Sequence, residues 1–209
     1  DPSLFPFTGG NHAYSDVITT ATGRTTSIKV CVDGREVTDF SGYASFIDVY
    51  WSNRIQARNT KKADGTGREV LQENIHLHFD GHKWSVDNII EHLEALKWLV
   101  YYGLQAQIPA WNEKVFYHNS VNRKWNQADV NSDSQTLSCN KVTLFKGTDW
   151  LEIELDLFGL GNKEFNTNNT KGAFVSGSKV YFNLVNGANN FFEAGDTFSF
   201  TGSYRFFSK

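Results

Sequence analysis

The sequence predicts a mainly β protein, a two-sheet β-sandwich or jelly roll, with one principal α-helix near 86–97. Three observations carry this. Apolar and polar residues alternate through most of the chain, the period at which successive side chains of a strand face opposite sides. Aromatics make up 15% of the 209 residues, with 17 Phe, 8 Tyr and 6 Trp, and such side chains fit a pleated surface. The segments between the alternating runs are rich in Gly, Asn, Asp and Ser, the residues of turns.

The elements follow in order. SIKVCV (27–32) alternates Ile28, Val30 and Val32 with Ser27, Lys29 and Cys31, then turns at Asp33-Gly34 into REVTDF, a hairpin signal. SFIDVYW (45–51), REVLQ (68–72) and NIHLHF (74–79) read as further strands. SVDNIIEHLEALK then places Val86, Ile89, Ile90, Leu93 and Leu96 at helical spacing, with Ser85 as N-cap and Asp87 in the first turn. From Trp98 the period returns to two, predicting a long strand that Pro109 ends. VFYH (115–118), KVTLF (141–145), WLEIELDL (150–157), KVYFNLV (179–185) and TFSFTGSYRFF (197–207) complete the sheets. No internal repeat or interdomain linker is visible, so residues 1–209 are expected to form a single β-sandwich domain. Asp at position 1 and the absence of Met lead us to expect a fragment of a larger or processed protein.

Charge and cysteine use exclude several classes. With 20 basic and 23 acidic residues the formal charge is -3, so nothing global attracts nucleic acid or an anionic membrane. No run reaches the ~18–20 apolar residues of a spanning helix, so no membrane insertion is expected. Cys31 and Cys139 allow one bridge at most and no disulfide framework. NNT at 168–170 matches the N-glycosylation pattern. Serine-nucleophile and nucleotide-loop motifs are absent.

Three groups of residues could carry chemistry. The first is Glu152, Glu154 and Asp156 in DWLEIELDLFG, which share one face of a strand. Alternate strand residues lie ~7 Å apart, within reach of the carboxyl separations of glycoside hydrolysis, but a water-facing edge of a core strand explains the same pattern. The second is His76 and His78 in NIHLHFDGHKW. Two imidazoles are too few for a metal site, and neither a metal nor a cofactor is expected. The third is a set of aromatics beside polar groups: Trp51 with Asn53 and Arg54, then Trp84, Trp111 and Trp125. Such pairing suits sugars, which offer an apolar CH face and a ring of hydroxyls.

Glu152-Ile153-Glu154-Leu155-Asp156 resembles the Glu-x-Asp-x-(x)-Glu strand of laminarinase-type glycoside hydrolases, with the central and terminal acids exchanged. NIH at 74–76 resembles the Gln-x-His strand of jelly-roll polysaccharide lyases, with Asn for Gln. That resemblance implies an Arg such as Arg54 or Arg58 and a Tyr such as Tyr101, Tyr102 or Tyr117 as partners. The Lys-Ala-Gly-containing Tyr motif of the alginate-lyase type is missing.

Together these observations predict a concanavalin-like or carbohydrate-binding-module-like sandwich that recognises a glycan or polysaccharide, extracellular or on a virion surface. The alternatives are a lyase or hydrolase on the same scaffold, and a structural, oligomerising domain of a phage appendage; a homo-oligomer is compatible with each. Because the residues between the three acids are all aliphatic, the sequence favours Arg58, His76 and His78 over the acidic row for any catalysis, and Trp51, Asn53, Arg54, Trp84, Trp111 and Trp125 for ligand contact.

Overall fold

The computed structural model describes residues 5–8, 23–60, 62–64, 66–107, 111, 114–119, 123–129, 139–156, 173–176 and 179–208. The strands are β1 (Phe7–Thr8), β2 (Gly23–Val32), β3 (Arg35–Val37), β4 (Ile47–Gln56), β5 (Glu69–Phe79), β6 (Lys83–His92), β7 (Leu96–Gln107), β8 (Lys114–Asn119), β9 (Lys124–Asp129), β10 (Lys141–Lys146), β11 (Asp149–Asp156), β12 (Ala173–Ser176), β13 (Lys179–Phe192) and β14 (Thr197–Ser208). One 3-10 turn, Arg58–Thr60, follows β4. Four strands form a sheet in the order β1-β7-β13-β12, and ten form the other in the order β3-β2-β4-β5-β6-β14-β11-β10-β8-β9.

The two sheets pack face to face as a β-sandwich. Leu96, Trp98 and Leu104 of β7 and Val180, Phe182, Leu184 and Phe192 of β13 come from the small sheet. They meet Val86, Ile90, Val142, Leu144, Leu151, Ile153, Leu155, Phe198 and Phe200 of the large one. Each such side chain removed from water contributes ~1.5–3 kcal/mol before entropy is counted. At Gly202 of β14 the sheets approach so closely that a Cβ would stand 2.6 Å from the Glu154 carbonyl oxygen and 2.6 Å from Leu104 Cδ1. The other face of the ten-stranded sheet carries the alternate, polar and aromatic residues and is not covered by the small sheet.

The expected helix at 86–97 is not present: this stretch is β6, the turn after it and the start of β7. Along β6, Val86, Asn88, Ile90 and His92 are buried while Asp87, Ile89 and Glu91 are exposed. The alternation is that of a strand, disguised because Asn88 and His92 point inward and Ile89 points out. Asn88 is accommodated by a buried network: its Nδ2 donates to Tyr101 Oη at 3.2 Å, and Tyr101 Oη donates to Glu73 Oε1 at 2.7 Å. Burial, then the neighbouring Glu73 carboxylate, drives the Tyr101 phenol well above its ordinary value, so it remains a hydrogen-bond donor. His92 is held by ring contacts with Phe192 at 4.3 Å and Trp98 at 5.1 Å.

Elsewhere the alternating segments are strands as expected, with REVLQ and NIHLHF continuous as β5. Asp33 and Gly34 both take positive φ, 48° and 80°, the backbone of a two-residue hairpin turn between β2 and β3. Cys31 and Cys139 are both buried and not disulfide-bonded, and Cys139 Sγ donates to the Ala173 carbonyl oxygen at 4.0 Å. The NNT sequence at 168–170 lies outside the described residues.

Candidate functional site

The face of the large sheet turned away from the small one holds both groups singled out in the sequence. Strand pairing lines up Asp48, His78, Ser85, Ser203, Glu154, Lys141 and His118 in one row across β4, β5, β6, β14, β11, β10 and β8. From His78 to Glu154 is three strand steps, or about 14 Å.

At the β4–β5 end, the Asp48 carboxylate is buried under two imidazoles. His76 Nε2 and His78 Nδ1 both donate to Asp48 Oδ1 at 2.8 Å, which assigns a proton to each of those nitrogens because a carboxylate only accepts. Burial pushes the Asp48 carboxyl up, but hydrogen bonds from His76 and His78 outweigh it and hold the group below its ordinary range. His76 Nδ1 lies 3.5 Å from Asp87 Oδ2, and the ring stacks on Tyr50 at 4.3 Å with planes 3° apart. Lys29 Nζ stands 4.8 Å from the centre of that tyrosine ring. Among the described residues no group of three or more His, Cys, Asp or Glu side chains is arranged to hold a metal ion.

At the β8–β10–β11–β14 end, the same face opens into a hollow of about 410 Å³ lined by Phe116, His118, Lys141, Thr143, Trp150, Glu152 and Phe207. Its size falls within the ~300–1,000 Å³ of small-ligand sites. Trp150 shares the parity of Glu152 and Glu154, so the indole stands on the acids' side of β11 while Leu151, Ile153 and Leu155 enter the core. Pairing sets Phe145 of β10 and Phe207 of β14 on either side of Trp150. The rings form a nearly parallel array: Phe145–Trp150 at 5.0 Å and 24°, Trp150–Phe207 at 5.9 Å and 9°, Phe116–Phe145 at 5.6 Å and 22°. Thr143, between Phe116 and Glu152 in register, is short, and the hollow lies where a longer side chain would stand.

Ion pairs complete the hollow. Lys141 Nζ bridges Glu152 Oε2 at 2.9 Å and Glu154 Oε2 at 3.3 Å, and Arg205 Nη1 lies 4.0 Å from Glu152 Oε1. Burial, then the Lys141 charge, depresses the His118 imidazole below its ordinary value against the opposing pull of Glu152 and Glu154. It is therefore neutral at pH 7 and can both donate and accept.

The structure brings His76 and His78 together but sets the other predicted residues apart. Asn53 lies on the core-facing side of β4, donating to Glu73 Oε2 at 3.3 Å and accepting from Thr25 Oγ1 at 2.9 Å. Trp51 takes the same side by alternation. Trp84 faces that side of β6, 4.6 Å from Phe79. Trp111 packs half-buried against the core. Arg54 shares the imidazoles' face, opposite Gln72 and Arg24. Trp125 pairs with His118 through the β8–β9 backbone, while its side chain and that of Arg58 lie outside the described atoms. Phe116, His118, Lys141, Thr143, Trp150 and Phe207 are the hollow's residues that sequence reasoning missed. The signal that could have found Trp150 is that it opens the acidic alternation at 150, 152, 154 and 156.

No protein family matches the chain by sequence, and no curated protein does either. Among solved structures, the GH36 alpha-galactosidase AgaA of Geobacillus stearothermophilus in complex with raffinose is similar, with a TM-score of 0.48 and 8% identity. The similarity covers 91% of this chain and 29% of that one.

Proposed function

We propose that the protein is a carbohydrate-recognition β-sandwich and that its ligand lies in the hollow over Thr143. The observation that carries this reading is the coincidence, in one open depression, of three aromatic rings with a Glu152–Lys141 pair and a neutral imidazole. Aromatic rings take the CH face of a pyranose, and adjacent acceptor and donor groups take its hydroxyls. Recognition fits better than cleavage. The ammonium of Lys141 holds Glu152 and Glu154 as acceptors of its own N–H groups, rather than leaving either set to protonate a leaving group. Such a protein would work where glycans are met, outside the cell or on a virion surface.

The test is calorimetric titration of wild type and Thr143→Trp with a panel of oligosaccharides. Filling the hollow should abolish binding while the far-ultraviolet circular dichroism stays that of a β protein. Unchanged binding by Thr143→Trp would remove the hollow from the account.

A further inference from the structure

Resting on that reading of the hollow, we infer that its ligand is a neutral oligosaccharide laid across the strands, rather than a uronate, a sulfated glycan or a single sugar. The first argument is charge. The cation lining the hollow, Lys141, is engaged by Glu152 and Glu154 at 2.9 and 3.3 Å, and Arg205, just outside the lining, faces Glu152 at 4.0 Å. His118 adds no charge at neutral pH, its imidazole being depressed by burial and by Lys141. An anionic sugar would bring a further negative group beside Glu152 and Glu154, and like charges that close repel unless a cation is released to meet them. A neutral hydroxyl meets no such opposition. Glu152 Oε2 is taken by Lys141, while Oε1, 4.0 Å from Arg205, lies beyond hydrogen-bond distance of that guanidinium and is set to accept from a hydroxyl.

The second argument is length and direction. The lining takes three successive rows, His118–Lys141, Phe116–Thr143–Glu152 and Trp150–Phe207, and its two outer rings, Phe116 and Phe207, stand on its outermost strands, β8 and β14. From β8 to β14 is three strand spacings, about 14 Å, longer than one sugar ring. Apolar rings stand at both ends, Phe116 half-buried on β8 and Phe207 37% exposed on β14. Each end ring therefore serves a different sugar unit, with the Glu152–Lys141 pair between them.

The experiment titrates wild type, Phe116→Ala, Phe207→Ala and Thr143→Trp with glucose and galactose, with their neutral di- and tetrasaccharides, and with oligogalacturonides of matched length, at low and high salt. A neutral tetrasaccharide should bind about tenfold or more tightly than its monosaccharide, with little dependence on salt. Phe207→Ala, which removes an exposed ring and leaves the core intact, should cut tetrasaccharide affinity several-fold and leave monosaccharide affinity nearly unchanged. Tighter binding of oligogalacturonide, falling with salt, would overturn the inference and leave the hollow as the glycan site. Equal affinity for mono- and tetrasaccharide would overturn it in the same way. Failure of every saccharide to bind wild type, or full binding by Thr143→Trp, would overturn the site itself and the inference with it.

Discussion

The Asp48–His76–His78 cluster and the hollow over Thr143 lie on one face of one sheet, joined by the register row that runs from Asp48 and His78 to Lys141 and His118, and differ in what their polar groups are doing. At the first, Asp48 Oδ1 accepts from two imidazoles, and one of them, His76, stacks on Tyr50 and has its other nitrogen 3.5 Å from the Asp87 carboxylate. These groups are occupied with each other. At the second, a short residue among large ones leaves an open volume of about 410 Å³ beside an ion pair and three rings. A dense cluster of chemistry-bearing side chains is thus not in itself a site. Unfilled space next to such side chains is what a ligand needs, and the two ends of this sheet separate the two conditions.

The sharpest break of that comparison is in affinity. Trp150→Ala should weaken glycan binding by about tenfold or more, since a central aromatic anchor is commonly worth ~2 kcal/mol, whereas His76→Ala should leave it nearly unchanged. Parallel titrations of the two variants check this.

Stability should respond in the opposite sense. Asp48→Asn keeps the shape but weakens two charge-assisted hydrogen bonds at a buried group and should cost ~1–3 kcal/mol in urea unfolding. Glu154→Gln, removing one partner of an exposed pair, should cost no more than ~1 kcal/mol.

The pH dependence distinguishes the two ends further. His118 and Asp48 both have depressed folded-state values, so in each case the unfolded chain binds a proton more readily and stability rises with pH. The His118 contribution is complete above its ordinary value of 6.5 and is lost as pH falls through the lower folded value. The Asp48 contribution survives to 3.8 and is lost only below it. Melting temperatures measured against pH should therefore lose the upper step in His118→Gln and the lower one in Asp48→Asn.

The smallest effect on binding is expected from a core-side change between the two ends. Gly202→Ala drives a Cβ to 2.6 Å from the Glu154 carbonyl oxygen and should cost ~1–3 kcal/mol of stability. Glycan affinity of the folded fraction should not change, because the methyl group lies on the core side.

Much of this architecture was legible because alternation reports burial. Leu151, Ile153 and Leu155 are buried where the pattern places them, and Asp33-Gly34 makes the turn its residue types demand. The pattern failed on β6 because a buried Asn and a buried His are accommodated there by partners distant in sequence: Asn88 Nδ2 donates to Tyr101 Oη of the other sheet, and His92 Nδ1 lies 2.8 Å from the Asp196 carbonyl oxygen while its ring packs on Trp98 and Phe192. The site was legible only along one strand. Trp150 and the acids of β11 share a parity visible in the sequence, whereas Phe116, His118, Lys141 and Thr143 reach them through strand order, which local pattern does not encode.

The most direct test of the central claim is a two-dimensional NMR titration of the labelled protein with a neutral tetrasaccharide. Shifts should concentrate on the Trp150 indole and on the amides of Phe116, Thr143, Glu152 and Phe207, while Tyr50, His76 and His78 stay still. Shifts centred on the His76–His78 strand, with the Trp150 indole unmoved, would contradict the account.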